Sequence, residues 1–460
     1  MKKKYLLAGL FALIVVVAML AVACAGGEEA ATTTGAPTTT GAPTTTLPPA
    51  TGEPIKIGHI VNETGVEAQT GKNMARSLEL AFNEVGMRIG DRPVEIITEN
   101  AGDSAEEALA RVKKLVEQDK VDVVFGPTEI GQKFSVCQDM KTAADPVPVI
   151  LYSPAQEFFT LDNPWVIGLG GTNLQQATCM ADYVYSTLGY RTIVTLGPEG
   201  AAGANFVTPF AEEFKALGGT IADQVWPPED ALDMGPFLTT LKDSTADALC
   251  YWFPGANAQK LIIAFYQMGI TLPKVGIFHG ACFDPWVFQT LNNPEAAAAM
   301  EGVPVSMEYA PDSQTEANQR YVAAWNAAYP TKSGPYALSG DTCNPYDAAQ
   351  WFMKALEANG GDTTPATLVA DLLATQYEGP QGPAFFDQAN ARSDAFSRLA
   401  TRNIYVVKIA ANPEGSDFPY HYETAMTYLQ VPPTGYVDGT TQKVEGPPGA
   451  AAAATSTTGQ

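Results

Sequence analysis

The feature that most constrains the fold is a strand-helix alternation that runs through four strands and then begins again. Ile55–Val61 reads as a short strand, followed by a helix whose apolar residues Met74, Leu78, Phe82 and Val85 recur every three or four positions. Residues 94–97 form a second strand and 105–118 a second helix, with Leu109, Val112 and Leu115 on one face. Residues 121–125 make a third strand ending in Gly126-Pro127, and 148–152 a fourth. Strands alternating with helices imply a parallel sheet covered on both faces. The pattern restarts at Thr192–Leu196, with a helix from about residue 205 to 217 and strands at 220–226, 248–253, 275–279 and 303–309. Helices near 318–328 and 347–358 are expected to return to the first sheet, and 403–409 reads as a late strand. The predicted fold class is α/β: two doubly wound lobes joined by a multi-crossing hinge. In such sheets ligands sit outside the carboxyl ends of the strands, here in the crevice between lobes.

The amino terminus carries different information. Lys2, Lys3 and Lys4 precede an apolar run over residues 6–23, which ends in Leu20-Ala21-Val22-Ala23-Cys24. Basic, apolar and small residues in that order make a secretion signal. The cysteine makes it similar to a bacterial lipobox, in which the thiol is diacylated and the chain cut before it. Ala21 stands where leucine is usual, and Leu20 sits one residue early. The alternative is an uncleaved membrane helix, since about 18 apolar residues already span a bilayer. The Thr/Pro-rich stretch behind Cys24 favours lipidation. Residues 25–53 repeat Thr-Thr-Thr-Gly-Ala-Pro and hold almost no large apolar side chains, so nothing offsets the entropy of ordering them. Threonine and proline keep such a spacer extended. Residues 446–460 have the same character, and neither end is expected to fold.

Loss of the signal's three lysines takes the formal charge from −23 to −26. That acidity argues against nucleic-acid binding and against direct adhesion to anionic lipid, while leaving the charge of a solute in a cleft open. With Cys24 lipidated, Cys137, Cys179, Cys250, Cys282 and Cys343 remain, an odd number that leaves at least one thiol unpaired within the monomer.

The motifs of catalysis fall short. The histidines are His59, His279 and His421, with no H-x-x-x-H, C-x-x-C or G-x-S-x-G, and nothing has metal-ligand spacing. Residues 65–72, GVEAQTGK, approach a phosphate loop but have five residues between the glycines, and Asn73 replaces the magnesium-binding hydroxyl. Gly197, Gly200 and Gly203 are spaced for a tight strand-to-helix turn rather than a dinucleotide loop. No cofactor, metal or enzymatic activity is expected. Aromatic residues cluster near strand ends: Tyr152, Phe158, Phe159, Tyr251, Trp252, Phe253, Phe278, Phe283 and Trp286. Alternation along a strand sends at least half of these to the core, Trp252 among them, and leaves Tyr251 open between core and crevice.

Over residues 54–409 the chain resembles the periplasmic-binding proteins for leucine, isoleucine and valine. The resemblance is carried by Ile55-Lys56-Ile57-Gly58 leading to Ala68-Gln69-Thr70-Gly71, then Val123-Val124-Phe125-Gly126 and Ser153-Pro154-Ala155. The strand from Asp247, Tyr346-Asp347-Ala348, Gly379-Pro380-Gln381-Gly382 and Phe386-Asp387 continue it. It implies a type I periplasmic-binding fold with three hinge crossings, a single bound solute and delivery to the permease of an ABC transporter. The ligand positions it implies are Thr70, Ile130, Gln132, Ala155, Gln156, Glu157, Ala202, Tyr251 and His279. Most depart from the family's chemistry. The loop Glu129-Ile130-Gly131-Gln132 offers no hydroxyl for an α-carboxylate, and Glu157 stands where a threonine is expected. Thr70 and Ala202 replace tyrosines, and His279 replaces the acid that pairs with the α-ammonium group; Tyr251 alone matches. Glu157 could instead face solvent or cap the next helix, and His279 could be a satisfied polar residue. These departures predict a solute other than a plain branched-chain amino acid.

The expected organisation is a signal peptide at 1–23, a lipid-anchored linker at 24–53, a first lobe of 54–168 plus 310–400, a second of 169–309 plus 401–431, and a flexible tail at 432–460. The chain is expected to be a monomeric, extracytoplasmic carrier held to the cell membrane at Cys24. A ligand sensor of the same fold is the alternative.

Overall fold

The computed structural model describes residues 50–449, apart from 154–156, 161, 254, 280–282, 331–337, 388–395, 414–418 and 436–440. Cys24 and the linker up to residue 49 therefore lie outside the described residues, as does Cys282, while the linker's last residues are held, the Thr51 and Gly52 amides donating to the Asp91 carbonyl. Among the described residues no helix is long and apolar enough to cross a membrane, and Cys137, Cys179, Cys250 and Cys343 are buried free thiols.

The first sheet contains β1 (Ile55–Val61), β2 (Arg88–Ile89), β3 (Arg92–Asn100), β4 (Val123–Phe125), β5 (Val149–Leu151) and β6 (Val166–Gly168), in the order β2-β3-β1-β4-β5-β6. All pairs are parallel except the β2–β3 hairpin. Its strands are continuous apolar runs because both faces are covered. Val123, Phe125, Ile150 and Ile167 feed one core, while Val124, Val149, Leu151 and Val166 feed the other.

The second sheet contains β7 (Thr192–Leu196), β8 (Thr220–Val225), β9 (Ala248–Tyr251), β10 (Lys274–Gly276), β11 (Pro304–Met307), β12 (Tyr377–Gly379), β13 (Gly382–Phe385), β14 (Thr401–Ala411), β15 (Tyr420–Val431) and β16 (Lys443–Glu445). From β8 through β7, β9 and β10 to β11 it is parallel; β14 then runs antiparallel to β11, β13 and β15. Two doubly wound units are therefore present. The first turn of the helix after the opening strand needs glycine in each. A Cβ on Gly71 would fall 1.8 Å from the Asn62 carbonyl oxygen, and one on Gly203 would fall 1.9 Å from that of Pro198. These glycines, which give the chain its near-phosphate-loop spellings, serve close helix–strand packing.

Two features differ from expectation, the hairpin near residue 380 and the tail, while one helix lies where it was expected. The Gly379–Gly382 turn joins β12 and β13 into a hairpin that hydrogen-bonds to β14, so residues assigned to the first lobe extend the second sheet. The helix Gly340–Ala358 does return to the first lobe, where Ser77 Oγ donates to the Thr342 carbonyl at 2.5 Å. The tail expected to be flexible from 432 onward contributes β16, and the Pro448 carbonyl accepts from the Gln314 amide at 2.9 Å. An unpaired β15 would expose a row of backbone groups; β16 completes them, and Lys443 pairs with Asp182 at 2.6 Å.

Where the chain crosses between sheets, buried polar groups tie the crossings together. Thr172 and Gln175 form a capping box at the start of the helix Asn173–Asp182, and Gln175 Nε2 donates to the carbonyls of Ala400 at 3.0 Å and Val431 at 2.6 Å. Gln176 Nε2 donates to Glu308 at 3.0 Å. Arg402, fully buried on β14, pairs with Asp347 at 2.6 Å and donates to Gln381 in the hairpin turn.

Candidate functional site

Among the described residues, a group of titratable side chains gathers near the carboxyl ends of the strands. In the first lobe, Glu67 is the N-cap residue of the helix Ala68–Glu84 after β1, and Thr70 lies in its first turn. Glu129 is the N-cap residue of the helix Ile130–Thr142 after β4, followed by the buried Gln132 and Lys133. In the second lobe, His279 follows β10 and Glu308 follows β11, both buried. Asp341 lies in the first turn of the helix Gly340–Ala358, capped by Ser339. A Cβ on Gly340 would lie 3.3 Å from His279 Nδ1, so this helix start abuts the imidazole. The turn Gly65–Glu67 lies against the helix Gly255–Gln267 of the second lobe, which places Glu67 where the lobes meet.

The electrostatics follow from this convergence. Glu67 keeps some solvent access yet is packed among protein atoms. Its carboxyl is pushed well above the usual range by burial, then by Glu129, Asp341, Asp284 and Glu229. Glu129 is raised to about 7 by burial and by Glu229 and Asp103, with Lys133 opposing. Lys133 is lowered to about 8 by burial, against the pull of Cys137, Glu308, Asp341 and Glu129. Burial lowers His279, but Asp284 at 2.6 Å, with Asp341 and Glu308, outweighs it and leaves the imidazole raised. Carboxylates of both lobes thus sense one another across the crevice.

Of the sequence-predicted residues, Thr70, Gln132 and His279 lie at these strand ends, and their neighbours couple electrostatically across the lobes. The Thr70 hydroxyl, Gln132 Oε1 and the Ser153 hydroxyl are buried without a hydrogen-bond partner among the described residues. Gln132 Nε2 donates to the Gly102 carbonyl at 3.1 Å. Ile130 is half-buried and packs on the apolar core beneath the first sheet. Ala155 and Gln156 lie outside the described residues. Glu157 opens the short helix Glu157–Thr160, and Ala202 lies in the first turn of the helix Ala201–Ala216; their side chains lie outside the description.

Tyr251 is a correction. Its side chain is fully buried against Phe265 and Phe283, with the hydroxyl directed at Met300 Sδ, 3.9 Å away. As the last residue of β9 it still obeys strand alternation and enters the core beneath the sheet. Beside it in the same core, Trp252 and Phe278 stack with the half-buried Phe206 of the helix Ala201–Ala216, whose ring centroid lies 4.1 Å from that of Trp252 and 4.6 Å from that of Phe278.

Sequence reasoning missed Glu67, Lys133, Asp284, Glu308, Asp341 and Phe206. Position alone, just beyond a strand or in the next helical turn, could have flagged the first two. Asp284 and Asp341 belong together only through folding. His279, Asp284 and Asp341 place ligating atoms within 4.8 Å of one another, but Asp284 already accepts from His279 through Oδ1 and from Trp286 through Oδ2 at 3.0 Å. The cluster is a hydrogen-bonded network.

Comparison with known proteins gives a consistent picture. Residues 54–417 match the family described as periplasmic binding protein. The Leu/Ile/Val-binding protein homolog 6 of Brucella melitensis is 23% identical over 374 residues, covering 80% of this chain and 91% of that protein. An ABC transporter substrate-binding protein from Sphaerobacter thermophilus superposes with TM-score 0.71 at 24% identity, covering 82% and 98% of the two chains. An R. palustris solute-binding protein crystallised with 4-hydroxybenzoate gives 0.70 at 20% identity, covering 82% and 97%. With two parallel-sheet lobes, a crevice at their strand ends and a match over most of its length, the chain belongs to the periplasmic binding protein family.

Proposed function

We propose that the chain is the extracytoplasmic solute-binding component of an ABC-type importer. It is held to the membrane by lipid on Cys24, acts as a monomer, and closes its lobes around a small organic solute that it passes unchanged to a permease. The observation that carries this reading is the crevice itself, where strand ends of both lobes converge on the orphaned buried hydroxyls of Thr70 and Ser153 and on Gln132 Oε1. Buried polar atoms normally have partners, and a solute entering between the lobes would supply them. A thermal-shift screen against a broad solute library tests it, since a ligand at about 100 times its dissociation constant stabilises by roughly 2.7 kcal/mol.

Two expected outcomes follow. Replacing Cys24→Ser removes lipid labelling and releases the chain from the membrane fraction; labelling that persists would show that the anchor lies elsewhere. Leucine, isoleucine and valine at millimolar concentration leave the melting temperature unchanged, because a solute α-carboxylate would face Glu67 and Glu129 in a poorly screened cleft. Micromolar leucine binding by calorimetry would refute that expectation.

A further inference from the structure

The polarity of the crevice points to a narrower class of solute. Helix N-termini are ready-made anion sites, because unpaired backbone N–H groups and the helix dipole both favour negative charge. Three helices of 17, 13 and 19 residues begin at the crevice with an acid at or beside each start: Glu67 and Glu129 stand at the N-cap without hydrogen-bonding the helix, and Asp341 lies in the first turn behind the Ser339 cap. A solute carboxylate approaching any of these starts therefore meets one of the chain's own acids. The buried Lys133 offers no remedy, since it lies among Glu308, Asp341 and Glu129.

Closure brings further carboxylates to the same place. The turn ending in Glu67 lies against the second lobe's helix Gly255–Gln267, and the exposed Glu229 of that lobe lies close enough to act on the Glu67 carboxyl. Asp284 is occupied by His279 and Trp286. Independently, all three orphaned groups at the first lobe's strand ends can accept a hydrogen bond. Gln132 Oε1 can only accept. The crevice thus asks for hydrogen-bond donors and positive charge, and like charges on opposing lobes resist closing until something positive lies between them.

We propose that the solute is an organic cation, an amine, amidine or quaternary ammonium with an apolar body, held by Glu67 and Glu129 against Glu229 and Asp341. The half-buried Phe206, stacked on Trp252 and on Phe278, the chain neighbour of His279, supplies an aromatic wall for the apolar part. In this arrangement the cation is the electrostatic clamp that closes the lobes. The proposal rests on the reading of the chain as a solute binder and specifies what it binds.

The test is calorimetry and thermal shift on the full chain with phenethylamine, benzamidine and choline as cations, benzamide as a neutral analogue, 4-hydroxybenzoate as an anion, leucine, and calcium chloride. At least one organic cation is expected to bind, and Glu67→Gln and Glu129→Gln each weaken it by about thirtyfold. In both variants the unliganded melting temperature holds or rises, since a repelled carboxylate has been neutralised. Glu106→Gln, at an exposed acid outside the crevice, leaves binding unchanged. Binding of 4-hydroxybenzoate, benzamide or leucine with no response to any cation overturns the proposal and leaves the solute-binding reading standing. A response to calcium alone overturns it as well. Silence across this panel and a broad solute library overturns both.

Discussion

Acidification below about pH 6.5 should destabilise this protein through one residue, His59. It is fully buried on β1, with Nε2 3.0 Å from the Tyr152 hydroxyl, and burial lowers its pKa to about 3. In the unfolded chain a histidine takes up its proton near 6.5. Between those values the unfolded state binds more protons, so stability is intact above 6.5 and is lost as pH falls toward 3. From 6.5 to 4 the loss amounts to about 3 kcal/mol. Glu67 and Glu129, whose carboxyls are raised, tilt the profile the other way as pH rises from the ordinary carboxylate range. Comparison with His59→Gln isolates the histidine, because the other groups cancel in the difference. Denaturant melts across pH 4–8 should show the two proteins diverging with acid, the variant keeping its stability better. A difference that stays constant across that range would show that His59 does not titrate as its burial requires.

Replacing Arg402→Met should cost about 3–5 kcal/mol, because it leaves the Asp347 carboxylate buried without its cation. Asp347→Leu should cost a similar amount for the converse reason. The double variant should be distinctly more stable than either single one, since an apolar pair of similar volume avoids the desolvation of both charges. Arg402 also donates to Gln381 in the β12–β13 turn, so the single variants should loosen the hairpin's attachment to β14. Faster amide exchange on β13, together with lower denaturation midpoints, would register this. A double variant no better than the singles would show that the ion pair is not where the energy resides. Against a total stability of roughly 5–15 kcal/mol, either single change is severe.

Much of this molecule is legible in one dimension because its governing physics is local. Ile55–Val61 and Thr192–Leu196 occupy the residues their apolar runs predict. The helix Glu316–Ala328 begins within two residues of expectation. Parallel strands buried on both faces advertise themselves as uninterrupted apolar runs, and helices between them keep a regular period. The order of these elements already required two sheets and a crevice and put His279 at a strand end, while Thr70 and Gln132 came from the family resemblance. The strands β2, β6, β12, β13 and β16, each of four residues or fewer, were too brief for a period, and the twelve-residue β15, mixed in polarity, passed unseen as well.

Tertiary structure decided what lies beyond that reach. Tyr251 and Trp252 both join the core, Trp252 as expected, but only folding decided their partners: Tyr251 packs on Phe265 and Phe283, and Trp252 stacks on Phe206. The β12–β13 hairpin could have joined either lobe; its pairing with β14 assigns it hydrogen bonds in the second sheet. Residues 443–445 look like part of a polar tail until β15 presents an edge to complete. The acidity of the whole chain could be counted at once, but its concentration in the crevice could not. Glu67, Glu129, Glu229 and Asp341 are far apart in the chain, and only the packing of the two sheets' helices and turns puts their charges within reach of Glu67.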